Sequence, residues 1–541
     1  MTSSTEKQTP GNTRTLVRIH SWEVHAIEHR CPVRISKGAA RAAASPSAMS
    51  SVKAVLDLVE FDRLPLADAM QRWKRRAEPS PELARWAAHA VDQALSAMAS
   101  LAAISSAEAD VLVPVSREWA RQRRSADGSV YEETVTGRRY EGAGIRELRI
   151  LRPKVCKRSE ARERSEAEGE APDPEIAFAA GVLAGASEVL SNRWDAQRPY
   201  ALSRFTAPIR IRIVEISCED GGFHILFDGS REEALHLYRT GAANEVAALA
   251  AGEVYRPGSD CTKCSLLGAC SAVPVVPGIL GVSATPGRTP RQWSVTDGRE
   301  HAKCPARTLF NRLRFPRDQA AEDSDEVRRG RDVHKWFETQ HERVPRRKCR
   351  SGEVPDSPGQ WAAEWAGTDG FQARLAIQMI GDHAVVCPMA GLPSDADVHS
   401  EQIVAVSDPE ADALIVAKVD LLYHDGMGWT LRETKTSRSP HQGDLFGKHP
   451  QLALAVCLSA AGVLSDAGVR LRVELEELTG RGPVLTELDA TSPVVLAAAR
   501  AELAKLATPM FDGSDLHARP GSACGDCGFV RWCPSARKGP A

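Results

Sequence analysis

Alternation of hydrophobic and polar residues predicts strands at corresponding places in the two halves of the chain. The strands are expected over residues 209–217, 414–423, 429–436 and 469–477. After the first and the last of these comes another short strand and then a stretch rich in Ala, Leu and Glu, which predicts helices over 232–250 and 492–507. Because helices and strands alternate along the chain, the pattern predicts an α/β fold.

The cysteines follow the same division into two halves. Each predicted helix is followed by a C-x2-C-x5-C triplet, and a lone Cys-Pro lies more than 200 residues upstream of each triplet. The first cysteine set is Cys31, Cys261, Cys264 and Cys270, and the second cysteine set is Cys304, Cys524, Cys527 and Cys533. We interpret the chain as a tandem duplication with halves at 1–275 and 291–541, joined by a linker over 276–290 that is rich in Pro, Gly and Val.

Four thiolates in each half suit a metal centre that fastens the two ends of a domain together. In a reducing compartment, clustered cysteines bind metals more often than they form disulfides. Zinc usually takes ligand pairs that are close in sequence, so the triplet with a remote fourth cysteine favours two [4Fe–4S] clusters, with zinc as the alternative. The remaining cysteines follow no spacing pattern and are expected to be ordinary buried thiols: Cys156, Cys218, Cys349, Cys387 and Cys457.

Composition and charge narrow the class of protein. The apolar content of 43% is enough for large cores, and the formal net charge of −2 gives no overall attraction to nucleic acid or acidic lipid. The first twenty residues lack the apolar core of a signal peptide, and the most apolar windows are too short to span a bilayer. We therefore expect a cytoplasmic protein without a membrane partner. The sequence has no G-x4-G-K-[ST] run, so duplex unwinding would need a separate helicase or ATPase.

Polar residues in the predicted hairpin of the second half form a candidate catalytic site. Asp420 interrupts an apolar strand, and the strand after the turn carries Glu433 and Lys435. The hairpin brings Asp420 near Glu433, and the i, i+2 spacing puts Glu433 and Lys435 on one face. Two carboxylates could hold Mg²⁺ or Mn²⁺, with the Thr434 carbonyl as a further ligand, while the lysine orients or deprotonates a water molecule. A surface salt bridge between Glu433 and Lys435 is the alternative interpretation.

The ordered set of residues over about 290–536 resembles the PD-(D/E)xK nuclease superfamily. The closest resemblance is to its RecB-like branch with iron–sulfur cysteines, which includes the AddAB B-subunit nuclease domain and the CRISPR adaptation nucleases. The resemblance implies a restriction-endonuclease-type fold, with a central mixed sheet flanked by helices, in each of two tandem copies. The matching elements are Cys304-Pro305, Gly330-x3-His334, Glu401, Asp420, Glu433-x-Lys435, Gln451 and the triplet Cys524, Cys527 and Cys533.

The resemblance also implies a role for each matching residue. Asp420 and Glu433 would be the principal metal ligands, His334 an extra ligand and Lys435 the catalytic lysine. Gln451 would orient the lysine or a phosphate. Glu401 is placed at the start of a strand, where it could belong either to the metal shell or to the surface.

The first half keeps the cysteines but not the catalytic residues. Aligning the halves puts Arg149 at the place of Glu433 and Leu151 at the place of Lys435. In a register shifted by two residues, the counterparts of the aspartate, glutamate and lysine are Thr134, Glu147 and Arg149. An arginine does not readily release a proton, so either register lacks the chemistry of the lysine.

We therefore interpret residues 1–275 as a degenerate nuclease-like domain that serves as a docking or DNA-binding platform. A strip of basic residues could contact phosphates or could be an ordinary solvated face. The strip consists of Arg146, Arg149, Arg152, Lys154 and Lys157. His89 is expected to be a satisfied helix histidine rather than a ligand.

The sequence thus indicates a metal-dependent deoxyribonuclease that acts on single-stranded DNA or duplex ends, with its iron–sulfur clusters as structural staples. The resemblance implies a setting in DNA repair, recombination or defence. Two alternatives stay open, namely a catalytically inactive DNA-binding or scaffold protein and a redox iron–sulfur protein. In the redox protein, the set of Asp420, Glu433 and Lys435 would have no explanation.

Overall fold

The computed structural model describes residues 16–536 apart from 26, 39–46, 107–110, 127, 157–172, 192–197, 285–286, 288–289, 323, 355–369, 464–470 and 513–515. The chain forms two compact units. The first consists of Met1–Arg256, Lys263–Ala269 and Arg312–Pro316, and the second of Pro257–Thr262, Cys270–Asn311 and Arg317–Ala541. Among the helices in the described ranges, none has the length and apolarity needed to cross a bilayer.

The first unit contains two sheets. Its helices are α1 (Ser21–Val24), α2 (Pro32–Ser36), α3 (Ala48–Glu60), α4 (Leu66–Ala77), α5 (Pro81–Ser106), α6 (Pro174–Gly185), α7 (Arg231–Gly241) and α8 (Ala243–Ala251). Its strands are β1 (Leu16–His20), β2 (Val113–Val115), β3 (Trp119–Arg124), β4 (Val130–Thr134), β5 (Arg138–Gly142), β6 (Ile145–Arg152), β7 (Ser187–Glu188), β8 (Arg210–Ser217) and β9 (Phe223–Ser230). The strand orders are β1-β4-β3-β7 and β2-β5-β6-β8-β9.

The second unit contains one six-stranded sheet. Its helices are α9 (Val295–Lys303), α10 (Pro305–Arg312), α11 (Gln319–Glu322), α12 (Asp325–His341), α13 (Phe371–Val386), α14 (Leu445–Lys448), α15 (Pro450–Ala460) and α16 (Pro493–Asp512). Its strands are β10 (Arg291–Trp293), β11 (Val398–Asp408), β12 (Ala413–His424), β13 (Trp429–Ser437), β14 (Arg472–Thr479) and β15 (Gly482–Leu488). The order is β10-β12-β13-β14-β15, and β11 pairs with β12.

The central strands of the two units are paired in the same sequence of directions. In the second unit, β12 and β13 are antiparallel, β13 and β14 are parallel, and β14 and β15 are antiparallel. In the first unit, the same directions join β5 to β6, β6 to β8, and β8 to β9. A parallel pair requires a crossover connection, and the helices α6 and α15 occupy these connections. The mixed α/β architecture expected from the sequence is therefore present.

Both crossover helices begin with proline and are apolar on nearly all sides. Pro174 and Pro450 stand at the first helical positions, where a missing N–H leaves no bond unmade. Nine of the ten residues from Pro450 to Ser459 are buried, and the exception is Gln451, which is partly buried. A helix without a polar face is stable only inside a core, and α15 accordingly packs in the main hydrophobic cluster of the second unit.

The segment predicted as a linker over 276–290 is part of the second unit rather than a free connection. Leu280 is fully buried in the hydrophobic core. The buried Asp408 carboxylate, at the end of β11, accepts backbone N–H bonds from Gly278 at 2.8 Å and from Leu280 at 3.1 Å. Proline, glycine and valine therefore mark a packed, irregular segment here, because a carboxylate 128 residues away supplies its hydrogen bonds.

Replacing Asp408 should destabilise the second unit. The same carboxylate also accepts from the backbone N–H groups of Glu410 and Ala411, so Asp408→Ala would leave buried donors without a partner. We expect the free energy of unfolding to fall by about 3 kcal/mol or more, measured by equilibrium urea denaturation. The exposed neighbour substitution Glu410→Gln is the control and should change stability by at most about 0.5 kcal/mol. A loss for Asp408→Ala no larger than that of the control would contradict this account.

Candidate active site

The hairpin of β12 and β13 brings Asp420 beside Glu433. The last paired residues toward the site are Leu421 and Arg432, so Asp420 and Glu433 lie one step further along the two strands. Beyond that pair, the next N–H of β13 is bound by a side chain: Oδ2 of Asp420 accepts the N–H of Thr434 at 2.8 Å. The carboxylate is thereby fixed at the point where the two strands separate.

Lys435 completes a compact group with these two acids. Its Nζ donates to Oε1 of Glu433 and to the Thr434 carbonyl at 3.2 Å, and it lies 3.7 Å from Oδ2 of Asp420. The Glu433 side chain is 6% exposed and that of Lys435 is 26% exposed. The structure therefore brings together the three groups that the sequence placed in one site. It also uses the Thr434 carbonyl as an acceptor for the lysine.

Crowding of charge changes the protonation of this group. Burial and then repulsion from Asp420 raise the pKa of Glu433 to about 7. Burial lowers the pKa of Lys435, but Glu433 and Asp420 raise it further, so that it stands above its ordinary value. Lys435 is consequently an ammonium group at neutral pH. This state favours orientation and charge stabilisation by the lysine over proton abstraction, the other role that the sequence left open.

His334 and Glu401 lie next to the Asp420 carboxylate. One ligand atom from each of these three residues lies within 4.8 Å of the others. His334 Nδ1 is 3.7 Å from Oδ1 of Asp420 and 3.9 Å from Oε1 of Glu401. All three side chains are partly exposed, at 25% for the histidine and 18% for each acid, so an ion or a substrate can reach them.

The Gly330-x3-His334 spacing has a steric reason in α12. A Cβ atom at Gly330 would lie 3.2 Å from Oγ1 of Thr436 on β13. Glycine therefore lets the helix approach the strand that carries Glu433 and Lys435, and one turn later His334 faces the acids. Ser324 caps the start of this helix, its Oγ accepting the N–H of Val327.

Glu401 has a strained backbone. Its φ of +54° lies in the left-handed region, which costs a residue with a side chain about 1–2 kcal/mol. Ser400 pairs with Leu421 and Gln402 with Val419, and the pairing is interrupted between them at Glu401. The interruption lies opposite Asp420, and the Glu401 carboxylate also contacts Lys418 Nζ at 2.5 Å. Strain of this kind is common where a functional side chain must be aimed.

Gln451, which the resemblance assigns to orienting the lysine or a phosphate, lies in the first turn of α15. The Oε1 atom of Gln451 is buried and has no hydrogen-bond partner among the residues that the structure describes. Burial and then the charge of Lys435 lower the pKa of His449, two residues before Gln451, to about 4. The residues at the start of α15 therefore lie within the electrostatic influence of Lys435, and one of them, Gln451, carries an acceptor that makes no hydrogen bond among the described residues.

The residues present fit a hard divalent cation. Carboxylate oxygens with one imidazole nitrogen form a donor set that Mg²⁺ and Mn²⁺ accept. Asp420, Glu401 and Glu433 place three acids against Lys435 and Lys418. Burial and then repulsion from Asp420 raise the pKa of Glu433, and a bound cation would stabilise the carboxylate against both.

The second cysteine set lines a single cavity. Cys304, Cys524, Cys527 and Cys533 all contribute to its wall, together with Arg307 and the backbone near Arg519. Arg307 Nε donates to Sγ of Cys527 at 3.4 Å, and the N–H of Arg519 donates to Sγ of Cys304 at 3.3 Å. Such donors stabilise sulfur that carries negative charge.

The residues of the first cysteine set are all at least partly buried. Cys261 is buried and the other three are partly buried. The Gly258 N–H donates to Sγ of Cys261 at 3.4 Å.

In the first unit, Glu147 on β6 is held in ion pairs. The fully buried Glu147 accepts from Arg149 Nε at 2.6 Å and lies 3.4 Å from Arg212 Nη1. The residue opposite Glu147 on the neighbouring strand is Tyr140. The expectation that Thr134 takes the place of the aspartate was wrong, because Thr134 lies on β4 in the other sheet.

The proposed basic strip of the first unit is not a surface strip. Arg146 is buried and donates to the carbonyl groups of Leu183 and Ala186. Arg149 is buried against Glu147, and Arg152 is paired with Glu175 and Glu215. Lys154 is exposed, and Lys157 lies outside the described residues. Both interpretations of the strip, as a phosphate contact and as a solvated face, are therefore corrected for the three arginines.

His89 behaves as the sequence suggested. It lies on α5, and its Nε2 is 2.7 Å from the carbonyl oxygen of Glu219. The contact satisfies the ring within the fold.

Sequence reasoning missed one group of metal-type side chains in the second unit. His341, Cys349, His383 and Cys387 are all buried, with ligand atoms within 4.8 Å of one another. The H-x3-C spacing of His383 and Cys387 at the end of a helix was the available signal, since zinc ligands often occur in such close pairs.

Comparison with known proteins supports the assignment of the second half. The family model described as the PD-(D/E)XK nuclease superfamily matches residues 292–534. A solved structure titled "Crystal structure of SSO0001" aligns at 15% sequence identity over 46% of this chain and 88% of that chain. Its TM-score is 0.22, too low to argue a shared fold. No curated protein matches the chain.

The family match therefore supports the PD-(D/E)XK superfamily for residues 292–534. Members of this superfamily are generally nucleases that use divalent metals, and the mixed α/β architecture of the second unit is consistent with their fold.

Substitutions at Glu401 should separate its carboxylate from its backbone strain. Glu401→Ala and Glu401→Gly both remove the carboxylate, but only glycine adopts the left-handed conformation without a steric penalty. We expect Glu401→Gly to be more stable than Glu401→Ala by about 1 kcal/mol in urea denaturation. Equal stability of the two variants would show that the backbone relaxes without cost.

Proposed function

We propose that the chain is a divalent-metal-dependent nuclease that hydrolyses phosphodiester bonds in DNA. The observation that supports this most is the convergence of Asp420, Glu433 and Lys435 at one end of the β12–β13 hairpin. Two carboxylates and an ammonium group within contact of one another, open to solvent on one side, suit hydrolysis at a phosphate. The family match over residues 292–534 supports the same class of reaction.

In this proposal, the acids and the histidine bind the metal, and the lysine stabilises negative charge. Asp420, Glu433, His334 and Glu401 would hold Mg²⁺ or Mn²⁺. A cation held by them acts as a Lewis acid on the phosphate and lowers the pKa of water. Lys435, as an ammonium group tied to Glu433, orients the water molecule and offsets the negative charge that develops on the phosphate.

Gln451 offers an additional group for the substrate. Its buried Oε1 has no hydrogen-bond partner among the described residues, and it belongs to the helix that starts beside Lys435. Its amide could bind a group that is brought in with the substrate, such as a water molecule on a phosphate oxygen.

The substrate we propose is single-stranded DNA or the end of a duplex. The sequence contains no P-loop motif, so unwinding would come from a separate helicase or ATPase. Roles in repair, recombination or defence are proposed from the resemblance to the RecB-like branch alone.

We propose a [4Fe–4S] cluster as the occupant of the second cysteine set. Four cysteines around one cavity, with an arginine and a backbone N–H donating to two of the sulfurs, support this proposal. The cluster would fasten the start of α10 to the last turns of the unit. We propose a second cluster for the first cysteine set by the identity of its spacing, and zinc is the alternative for both.

We propose that the first unit is a duplicate of the second that has lost its metal site. The shared order of strand directions around α6 and α15 supports the duplication. The buried pairs of Glu147 with Arg149 and Arg212 support the loss, since they supply the positive charge that a cation would otherwise bring. This unit would then serve as a platform for docking.

Removing the lysine ammonium tests the enzyme directly. We expect Lys435→Ala to lower the rate of DNA cleavage by about two orders of magnitude or more with Mg²⁺ or Mn²⁺, since charge stabilisation in a partly dry site is lost. Binding of the same DNA should change little. Lys505→Ala is the matched control, because Lys505 is an exposed lysine paired with Glu502 on α16, and it should cleave at the wild-type rate.

Wild-type protein that binds DNA but stays inert with both metals, on single-stranded and duplex substrates, would favour the non-catalytic scaffold. Cleavage that survives both Lys435→Ala and metal chelation would place the activity elsewhere.

Iron and sulfide analysis tests the cysteine sets. Anaerobically purified protein should contain about eight irons and eight sulfides per chain, and Cys524→Ser about four of each. Cys457→Ser, which removes a buried cysteine outside both sets, should keep the full content. Negligible iron with zinc in its place would decide for the zinc alternative.

A further inference from the structure

We propose that His341, Cys349, His383 and Cys387 form a structural zinc site in the second unit. None of these four residues belongs to the candidate active site or to either cysteine set. Its four ligand atoms lie within 4.8 Å of one another, and all four residues are buried. Two thiols and two imidazoles are a donor set that tetrahedral structural zinc prefers.

The separations between the ligand atoms suit such an ion. Zinc bonds of about 2.0–2.1 Å to nitrogen and about 2.3 Å to sulfur hold tetrahedral ligand atoms about 3.3–3.8 Å apart. Nε2 of His341 lies 3.2 Å from Nε2 of His383 and 3.9 Å from Sγ of Cys387. The separations are therefore close to those of a tetrahedral site.

Hydrogen bonds from neighbouring groups orient two of the four candidate ligands, His383 and Cys387. Nδ1 of His383 lies 2.6 Å from Oε1 of Glu476, and both side chains are buried. A carboxylate that accepts a hydrogen bond from Nδ1–H fixes the tautomer in which Nε2 is free to bind a metal. The Cys349 N–H donates to Sγ of Cys387 at 3.4 Å, a contact typical of a thiolate ligand. Glu476 thereby acts as the orienting partner of a metal-binding histidine.

The sequence spacing also fits. His383 and Cys387 lie four residues apart at the end of α13, and His341 and Cys349 come from the end of α12 and the segment after it. Zinc sites commonly combine two close pairs of this kind. An apolar cluster that includes Val333, Phe337 and Met379 surrounds the group and keeps water out.

The site connects the elements that carry the candidate active site, and this part of the inference rests on the proposed function. His341 lies two turns after His334 on α12, and Glu476 on β14 accepts from Thr434 Oγ1 at 3.2 Å. Thr434 stands between Glu433 and Lys435 on β13. Zinc would therefore hold the helix of His334 and the strand of the catalytic pair in register, as a positioning element that does not touch the substrate.

Metal analysis of the full chain tests the site independently of cleavage. We expect about one zinc per chain in addition to any iron, with a zinc K-edge absorption spectrum of two sulfurs at about 2.3 Å and two nitrogens at about 2.0 Å. The measurement is specific for zinc, so an iron–sulfur cluster does not disturb it. It uses the wild-type protein, so it does not depend on any variant folding.

Variants then assign the ligands. Cys387→Ser should lose the zinc, whereas Cys457→Ser, at another buried cysteine of the same unit, should keep it. Glu476→Gln should weaken zinc binding about 10–100-fold while leaving the four ligands in place. Circular dichroism of each variant checks that it folds.

Several results would overturn the site. They are absence of zinc from the fresh protein and after incubation with Zn²⁺, zinc without any nitrogen ligand in the absorption spectrum, a disulfide between Cys349 and Cys387, and unchanged zinc in Cys387→Ser. Zinc of the expected shell in a protein without nuclease activity would leave this inference standing and remove only the proposed function.

Discussion

The second unit is organised around the backbone and side chain of one residue, Thr434. Its N–H is bound by Asp420, its carbonyl by Lys435 and its hydroxyl by Glu476. Neighbouring residues of a strand point to opposite faces, so the acids and lysine lie on one side of β13 and the histidine–cysteine group on the other. A displacement of this strand would disturb both groups at once. The parallel partner β14, paired with β13 over eight residues, resists such a displacement.

The two units show how one arrangement of strands can hold opposite electrostatics. Beside β13, burial and then repulsion from Asp420 raise the pKa of Glu433, so additional positive charge would stabilise its carboxylate. Around β6, the guanidinium groups of Arg149 and Arg212 already meet the charge of Glu147. Buried charges must be compensated in either case. In the first unit the compensating charge comes from arginine side chains of the chain itself, whereas in the second unit a cation from solution would add it.

Local patterns predicted the elements near the site well. The hairpin was expected over 414–423 and 429–436, and the strands are Ala413–His424 and Trp429–Ser437. The i, i+2 spacing then required Glu433 and Lys435 to share a face. The helix expected over 232–250 is instead two helices, Arg231–Gly241 and Ala243–Ala251.

Other features depend on contacts between residues that are distant in sequence, and a local pattern gives at most part of them. Cys349 and Cys387 were expected to be ordinary thiols because they follow no cysteine spacing pattern. The spacing of His383 and Cys387 was a signal, but it does not show that His341 and Cys349 lie beside them. The counterpart of the aspartate in the first unit was placed at Thr134 because sequence counting assumes loops of equal length in both halves. The strained backbone of Glu401 has no sequence signature at all, since glutamate is not a residue that favours a positive φ.

The packed segment that precedes β10 affects how the second unit can be produced by itself. A fragment starting at residue 291, where the second half was expected to begin, would lack Leu280 from its interior and would leave the Asp408 carboxylate without the N–H groups of Gly278 and Leu280. Such a truncation should expose apolar surface and aggregate during expression. Gene design for the isolated nuclease-like half should therefore begin upstream of Val275, whose backbone bridges to Ser407.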